Sequence, residues 1–87
     1  MNKLTVKYIS ALCEDEKSLL TLQLTYNDEP PRTCTYVYNK PWCGWEYIDG
    51  DSEPNMSPKI RYFWDSTEGD YLIETVLKYE CEMSIEL

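Results

Sequence analysis

The sequence predicts an all-β fold that leaves room for one short helix, with five to six antiparallel strands arranged as a small β-sandwich or as a curled sheet or barrel. Apolar and polar residues alternate with a period of two along much of the chain, and clusters of turn-forming residues separate the alternating segments. Because 87 residues are too few for a second hydrophobic core, we expect a single domain over residues 1–87.

Five segments show the alternation that is typical of half-buried strands. Side chains two positions apart point to the same face of a strand, whereas the 3.6-residue period of a helix would mix the two sets. The last segment predicts a long strand that runs to the final residue. The apolar sets are Leu4, Val6 and Tyr8; Leu20, Leu22, Leu24 and Tyr26; Cys34, Tyr36 and Tyr38; Ile60, Tyr62 and Trp64; and Leu77, Tyr79, Cys81, Met83, Ile85 and Leu87.

The stretch before the last strand has two interpretations. In one, Ser66 or Thr67 caps a helix whose apolar residues recur every four positions. In the other, residues 66–69 form a hairpin turn and the last strand begins near Tyr71. The β-branched residues of this stretch favour the hairpin.

The segment from Asn39 to Pro58 departs from the alternation and is predicted to be a long loop. It holds three large aromatic residues close together, Trp42, Trp45 and Tyr47, next to proline and glycine. Rigid aromatic side chains of this kind anchor protein interfaces, because ordering them costs little conformational entropy. The alternative is that they close one end of a small core.

The charge of the chain restricts its partners. Sixteen acidic residues against eight basic ones give a net charge of −8. Such a surface repels phosphate groups, so we expect no direct binding to nucleic acid or to a membrane, whereas a basic protein would be attracted. No run of about 20 apolar residues is present, and the first residues lack the apolar core of a signal peptide, so a cytoplasmic location is expected.

The composition argues against an enzyme and predicts no cofactor and no metal site. Without histidine there is no Ser-His or Cys-His pair and no histidine base. The four cysteines, Cys13, Cys34, Cys43 and Cys81, contain no C-x-x-C pair, which favours free thiols over a site built from all four. Residues 49–53 have acidic spacing like that of a calcium loop but lack the glycine and glutamate required at its sixth and twelfth positions.

Two groups of acidic residues are candidates for partner contacts. If the last segment is one long strand, Glu80, Glu82 and Glu86 point to the same face and form a line of negative charge. Residues two positions apart on a strand are about 6.6 Å apart. That spacing is of the same order as the spacing of phosphates along one nucleic-acid strand. The second group lies between Pro41 and Pro58, where no Lys or Arg occurs, and comprises Glu46, Asp49, Asp51 and Glu53. The aromatic residues Trp42, Trp45 and Tyr47 complete the predicted partner-binding site.

A small, acidic, aromatic-rich chain without a catalytic constellation resembles bacterial immunity proteins and phage-encoded inhibitors in its general profile. The leading hypothesis is an inhibitor that binds and blocks a basic protein, in particular an immunity protein that neutralises a nuclease toxin. One alternative is a phage-encoded nucleic-acid mimic that inhibits a host defence protein. Others are a small carbohydrate- or ligand-binding β module and an assembly subunit whose last strand pairs with another chain.

Overall fold

The computed structural model describes residues 2–14, 17–39 and 44–87. These residues form five strands and two helices: β1 (Lys3–Glu14), β2 (Lys17–Tyr26), β3 (Arg32–Asn39), β4 (Gly44–Gly50), α1 (Pro58–Trp64), α2 (Thr67–Tyr79) and β5 (Glu82–Glu86). The strands build one antiparallel sheet in the order β4-β3-β2-β1-β5. Both helices pack against the same face of this sheet.

The hydrophobic core lies between that face of the sheet and the helices. Alternate residues are buried over residues 4–6 of β1, 20–26 of β2 and 34–36 of β3, as the alternation predicts, whereas residues 9–13 of β1 are exposed. The helices contribute residues three to four positions apart. Neither of the helices within the described residues has the length and apolar character that a membrane span requires. The buried side chains are Leu4, Val6, Leu20, Leu22, Leu24, Tyr26, Cys34, Tyr36, Met56, Ile60, Trp64, Leu72, Ile73 and Val76.

The prediction of a mostly antiparallel β fold is confirmed, but the predicted closure into a sandwich or barrel is wrong. The described sheet is open, with β4 and β5 as its two edges. The second layer consists of α1 and α2 instead of another sheet, and it covers the apolar face of the strands. The opposite face carries polar side chains, such as Thr5, Gln23 and Thr35, and therefore needs no covering layer.

The strand predicted at Ile60, Tyr62 and Trp64 is wrong, because these residues form helix α1. Ser57 caps the helix by accepting a hydrogen bond of 3.4 Å from the Ile60 N–H, and Pro58 occupies the first turn, where its missing N–H costs nothing. Ile60 and Trp64 are buried one turn apart, whereas Tyr62 is 80% exposed. In a window this short, residues at i and i+4 fit both periods, and the cap decides between them.

The hairpin predicted over residues 66–69 is also wrong, and the helical alternative is correct. Helix α2 begins after Ser66 and ends at Tyr79, because the next residue, Glu80, adopts the left-handed conformation (φ 48°) that stops a helix. The acidic residues of its first turn and Lys78 of its last turn match the helix dipole. The predicted final strand therefore shrinks to β5, and the first residues of its apolar set, Leu77 and Tyr79, belong to α2.

The register of β3 and β4 decides which side chains reach the helices. Tyr47 pairs with Tyr36, so both point toward the helical layer. A shift in register at Ile48 follows, and Asp49 pairs with Thr35 on the opposite face. The aromatic residues of β4, Trp45 and Tyr47, therefore face the helical layer. Its acidic residues, Glu46 and Asp49, face the other side of the sheet.

Candidate functional site

The predicted loop from residue 39 to residue 58 is in part an edge strand. Trp45, Glu46, Tyr47 and Asp49 lie on β4, and the loop proper begins after Gly50. Of the predicted aromatic cluster, Trp42 lies outside the described residues. The physical reason for the misassignment is that β4 is exposed on one side, so its sequence lacks the long apolar set that marks the central strands.

Aromatic rings from β3, β4 and α1 contact one another beside this edge. Tyr36 makes edge-to-face contacts with Tyr47 and with Trp64, each with ring centroids 5.9 Å apart. Trp45 makes a similar contact with Tyr38 at 5.3 Å. Trp45 is partly buried against the core, and Tyr47 is 37% exposed. Both predicted anchors therefore have a packed side and an accessible side.

Glu53 lies at the centre of a hydrogen-bond network instead of on the open surface. Its carboxylate accepts hydrogen bonds from the Tyr36 hydroxyl, from Trp64 Nε1 at 2.9 Å and from the Arg61 guanidinium at 3.0 Å. Arg61 also holds Asp65 through two hydrogen bonds of 2.9 and 2.8 Å. Burial and this carboxylate raise the pKa of Tyr36, and the pKa of Arg61 is raised mainly by its hydrogen bonds with Asp65.

The turn after β4 brings the other predicted acidic residues together around Tyr47. The Asp51 carboxylate accepts a hydrogen bond of 2.9 Å from the Thr33 backbone N–H, and the Tyr47 hydroxyl donates to the Asp51 carbonyl at 2.9 Å. The pKa of Tyr47 is raised by partial burial and by nearby groups, among them Asp49, Glu53 and Asp51. Asp51 and Glu53 therefore lie near Tyr47, and Asp49 is close enough to act on its pKa from the opposite face of β4.

A cleft of about 410 Å³ opens between β4 and the helices. Its far wall includes Asp65 and Asp70, two acidic residues that the sequence did not single out. Asp70 stands in the first turn of α2 and accepts a hydrogen bond of 3.3 Å from the Trp45 backbone N–H. The helical interpretation of residues 67–77 would have placed Asp70 in that first turn, but no local pattern indicates its contact with β4.

The predicted line of charge on the last strand is wrong. Glu80 ends α2 and lies near Tyr8, whose pKa is raised by burial and then by this carboxylate. Glu82 and Glu86 remain on the exposed face of β5, but they pair with Lys7 and Lys3 of β1. This edge of the sheet is therefore close to neutral, and it lies opposite β4.

The described cysteines, Cys13, Cys34 and Cys81, are free thiols. The Cys34 thiol is buried and donates to the Asp51 carbonyl at 3.2 Å, and its pKa is raised to about 11 by burial and by Glu53 and Asp51. Over the part of the chain that the structure describes, no group of three or more Cys, Asp or Glu side chains is placed to hold a metal ion.

Comparison with known protein families, with curated proteins and with solved structures finds no match to this chain.

Proposed function

We propose that this protein is an inhibitor that binds and blocks a basic partner through the β4 surface, which we define as Trp45, Glu46, Tyr47, Asp49 and Asp51. The partner we favour is a nuclease toxin, which an immunity protein of this kind would neutralise. The observation that carries the proposal is that partly accessible aromatic rings and carboxylates share one edge strand.

The distribution of basic residues supports the choice of this edge. No Lys or Arg occurs from Pro41 to Pro58. The basic residues nearby already have partners: Arg61, which lines the cleft, is held by Glu53 and Asp65, and Arg32, beside Asp51, is held by Glu29 and the Ser52 carbonyl. At the opposite edge the acidic residues of β5 pair with lysines. A positively charged surface is therefore attracted to β4 more strongly than to β5, and that attraction raises its association rate.

The aromatic residues support a binding role by a different argument. Trp45 and Tyr47 are held by ring contacts and hydrogen bonds before any partner arrives, so binding would not have to order them. Pre-ordered Trp and Tyr side chains are common among the residues that dominate interface energies. Glu53 is not part of this proposed surface, because its carboxylate is occupied by three internal donors.

The alternative of a nucleic-acid mimic loses its geometric basis at β5. Glu80 does not lie on the strand, and Glu82 and Glu86 are paired with lysines.

The cleft favours a second candidate, a ligand-binding module. It has a volume in the range of small-molecule sites, about 300 to 1,000 Å³, and its walls combine aromatic rings with carboxylates. Tryptophan fluorescence that shifts with a sugar or another small ligand, and is indifferent to basic proteins, would favour this candidate.

The test is capture of cationic nucleases from a panel, followed by association rates at low and high salt. A stoichiometric complex that loses nuclease activity is expected, with association slowed strongly by salt and dissociation changed much less. Two double variants with the same charge change locate the face: Glu46→Gln with Asp49→Asn on the β4 surface, and Glu82→Gln with Glu86→Gln at β5. We expect several-fold slower association for the first pair only. Equal effects, or capture of no basic protein, would remove the proposal.

A further inference from the structure

We infer that the cleft between β4 and α2 binds a guanidinium group, supplied by an arginine side chain of the basic partner. This inference rests on the proposed function and names the chemical group that the site receives. Of the described residues that line the cleft, Glu53, Asp65 and Asp70 supply carboxylates to its walls and Arg61 alone is basic. The aromatic rings of Trp45 and Tyr47 line the same cleft.

The cation already present does not compensate all of these carboxylates. Arg61 donates to Glu53 and to both oxygens of Asp65. Asp70 is not among its partners: of the described residues, only the Trp45 backbone N–H donates to it, at 3.3 Å. A carboxylate has about four lone-pair sites and can accept a pair of donors from one guanidinium. Asp70 therefore has capacity for a second cation in the cleft.

The rings beside Asp70 favour the same ligand. Trp45 and Tyr47 line the cleft, and the faces of such rings attract a cation that has left water. The indole Nε1 of Trp45 is buried and has no acceptor among the described residues. A peptide that carries arginine brings a guanidinium that the Asp70 carboxylate can hold beside these rings. Arginine suits the site better than lysine, because its planar fork matches a carboxylate and stacks on aromatic rings.

The test uses a small probe, so that it does not depend on identifying the partner. Nα-acetylarginine methylamide is titrated into the isotope-labelled protein, with the citrulline analogue as a matched uncharged probe of nearly the same shape. We expect the indole and backbone resonances of Trp45 to shift with arginine and a dissociation constant of about 1 to 10 mM. Citrulline should bind at least ten-fold more weakly. Equal binding of the two probes, or no shift with arginine, would overturn the inference.

Two variants locate the contact. Asp70→Asn keeps an oxygen that can accept from the Trp45 N–H but removes the charge, and we expect arginine affinity to fall about ten-fold. Glu82→Gln makes the same change of charge at the opposite edge and should leave the affinity unaltered. If Asp70→Asn does not fold, the comparison of arginine with citrulline on the unaltered protein decides. If arginine binds the cleft but no basic protein is captured, the arginine site stands and the inhibitor proposal falls. If a basic protein is captured but arginine does not bind the cleft, the inhibitor proposal stands and the arginine site falls.

Discussion

The Trp64 indole Nε1 donates a 2.9 Å hydrogen bond to Glu53, although one residue ends helix α1 and the other lies in the loop after β4. The same carboxylate also accepts from Tyr36 of β3 and from Arg61. Glu53 therefore joins the sheet, the loop and the helical layer at one point, and the side chain is only 16% exposed. Removing one partner of such a network leaves the remaining buried polar groups without compensation.

Glu53→Ala should destabilise the protein strongly. The substitution removes the acceptor of the Tyr36 hydroxyl, of the Trp64 indole and of one N–H of Arg61, whose other hydrogen bonds to Asp65 remain. We expect a loss of about 3 kcal/mol in the free energy of unfolding. Urea denaturation followed by circular dichroism measures it. Glu82→Ala removes an exposed glutamate and should cost less than about 0.5 kcal/mol. Similar losses for the two variants would mean that the network contributes little.

The two tryptophans of the cleft should respond differently to replacement by phenylalanine. Trp64 Nε1 has an acceptor in Glu53, whereas Trp45 Nε1 is buried without one among the described residues. Trp64→Phe therefore loses a hydrogen bond to a charged group, while Trp45→Phe removes an unsatisfied donor. We expect Trp64→Phe to be more destabilising than Trp45→Phe by about 2 kcal/mol in urea denaturation. A larger loss for Trp45→Phe would indicate that its donor has an acceptor in solution.

The central strands follow from local pattern, but the helices do not. Leu20, Leu22 and Leu24 alternate with polar residues over a length that excludes a helix, and the structure buries all three. Between Ile60 and Trp64 the spacing of four residues fits a strand and a helix equally well. Whether this segment is a helix or a strand then depends on the Ser57 cap and on how its apolar residues are buried against the sheet. That burial is a tertiary effect, which a local pattern does not show.

The site was predictable only in part, for a related reason. The residues Glu46, Asp49 and Asp51 lie within six positions of one another in the sequence, so their proximity to Tyr47 requires only one strand and one turn. Asp70 reaches β4 only because α2 packs against the sheet. Glu80 and Glu82 are also close in sequence, but the helix end between them turns their side chains into different environments. Because Tyr79 ends a helix and Glu82 begins a strand, an alternation that spans both residues does not indicate which side chains share a face.

Stability should fall as the pH rises above 9, because the folded protein keeps Cys34 protonated. Its pKa rises from 9.0 to about 11 in the folded state, and the pKa of Tyr36 is raised in the same direction. A raised pKa of an acid means that the stabilisation is complete below the unfolded value of 9 and is lost as the pH approaches the folded value. For Cys34 alone we expect a loss of about 2 kcal/mol between pH 8.5 and pH 11.

The measurement is the free energy of unfolding from urea titrations at a series of pH values, with reductant present. Cys34→Ser keeps a donor for the Asp51 carbonyl but does not titrate in this range. The variant should therefore show a shallower fall between pH 9 and pH 11, whatever its stability at pH 7. Parallel curves for the two proteins would contradict the assignment to Cys34.

Gly69→Ala should destabilise the protein, although alanine favours helices by about 1 kcal/mol over glycine. Gly69 is buried in α2 against the end of α1, and a Cβ there would overlap the carbonyl oxygen of Trp64 and lie 2.7 Å from that of Phe63. These atoms are backbone, so the two helices must separate, and we expect a net loss of about 2 kcal/mol in the free energy of unfolding.

Gly44→Ala is the matched comparison, since its Cβ would lie 3.1 Å from a side-chain oxygen of Asp70. That side chain can move, so stability should change little while arginine binding in the cleft weakens. Unchanged stability in Gly69→Ala would show that the contact between α1 and α2 is looser than this packing.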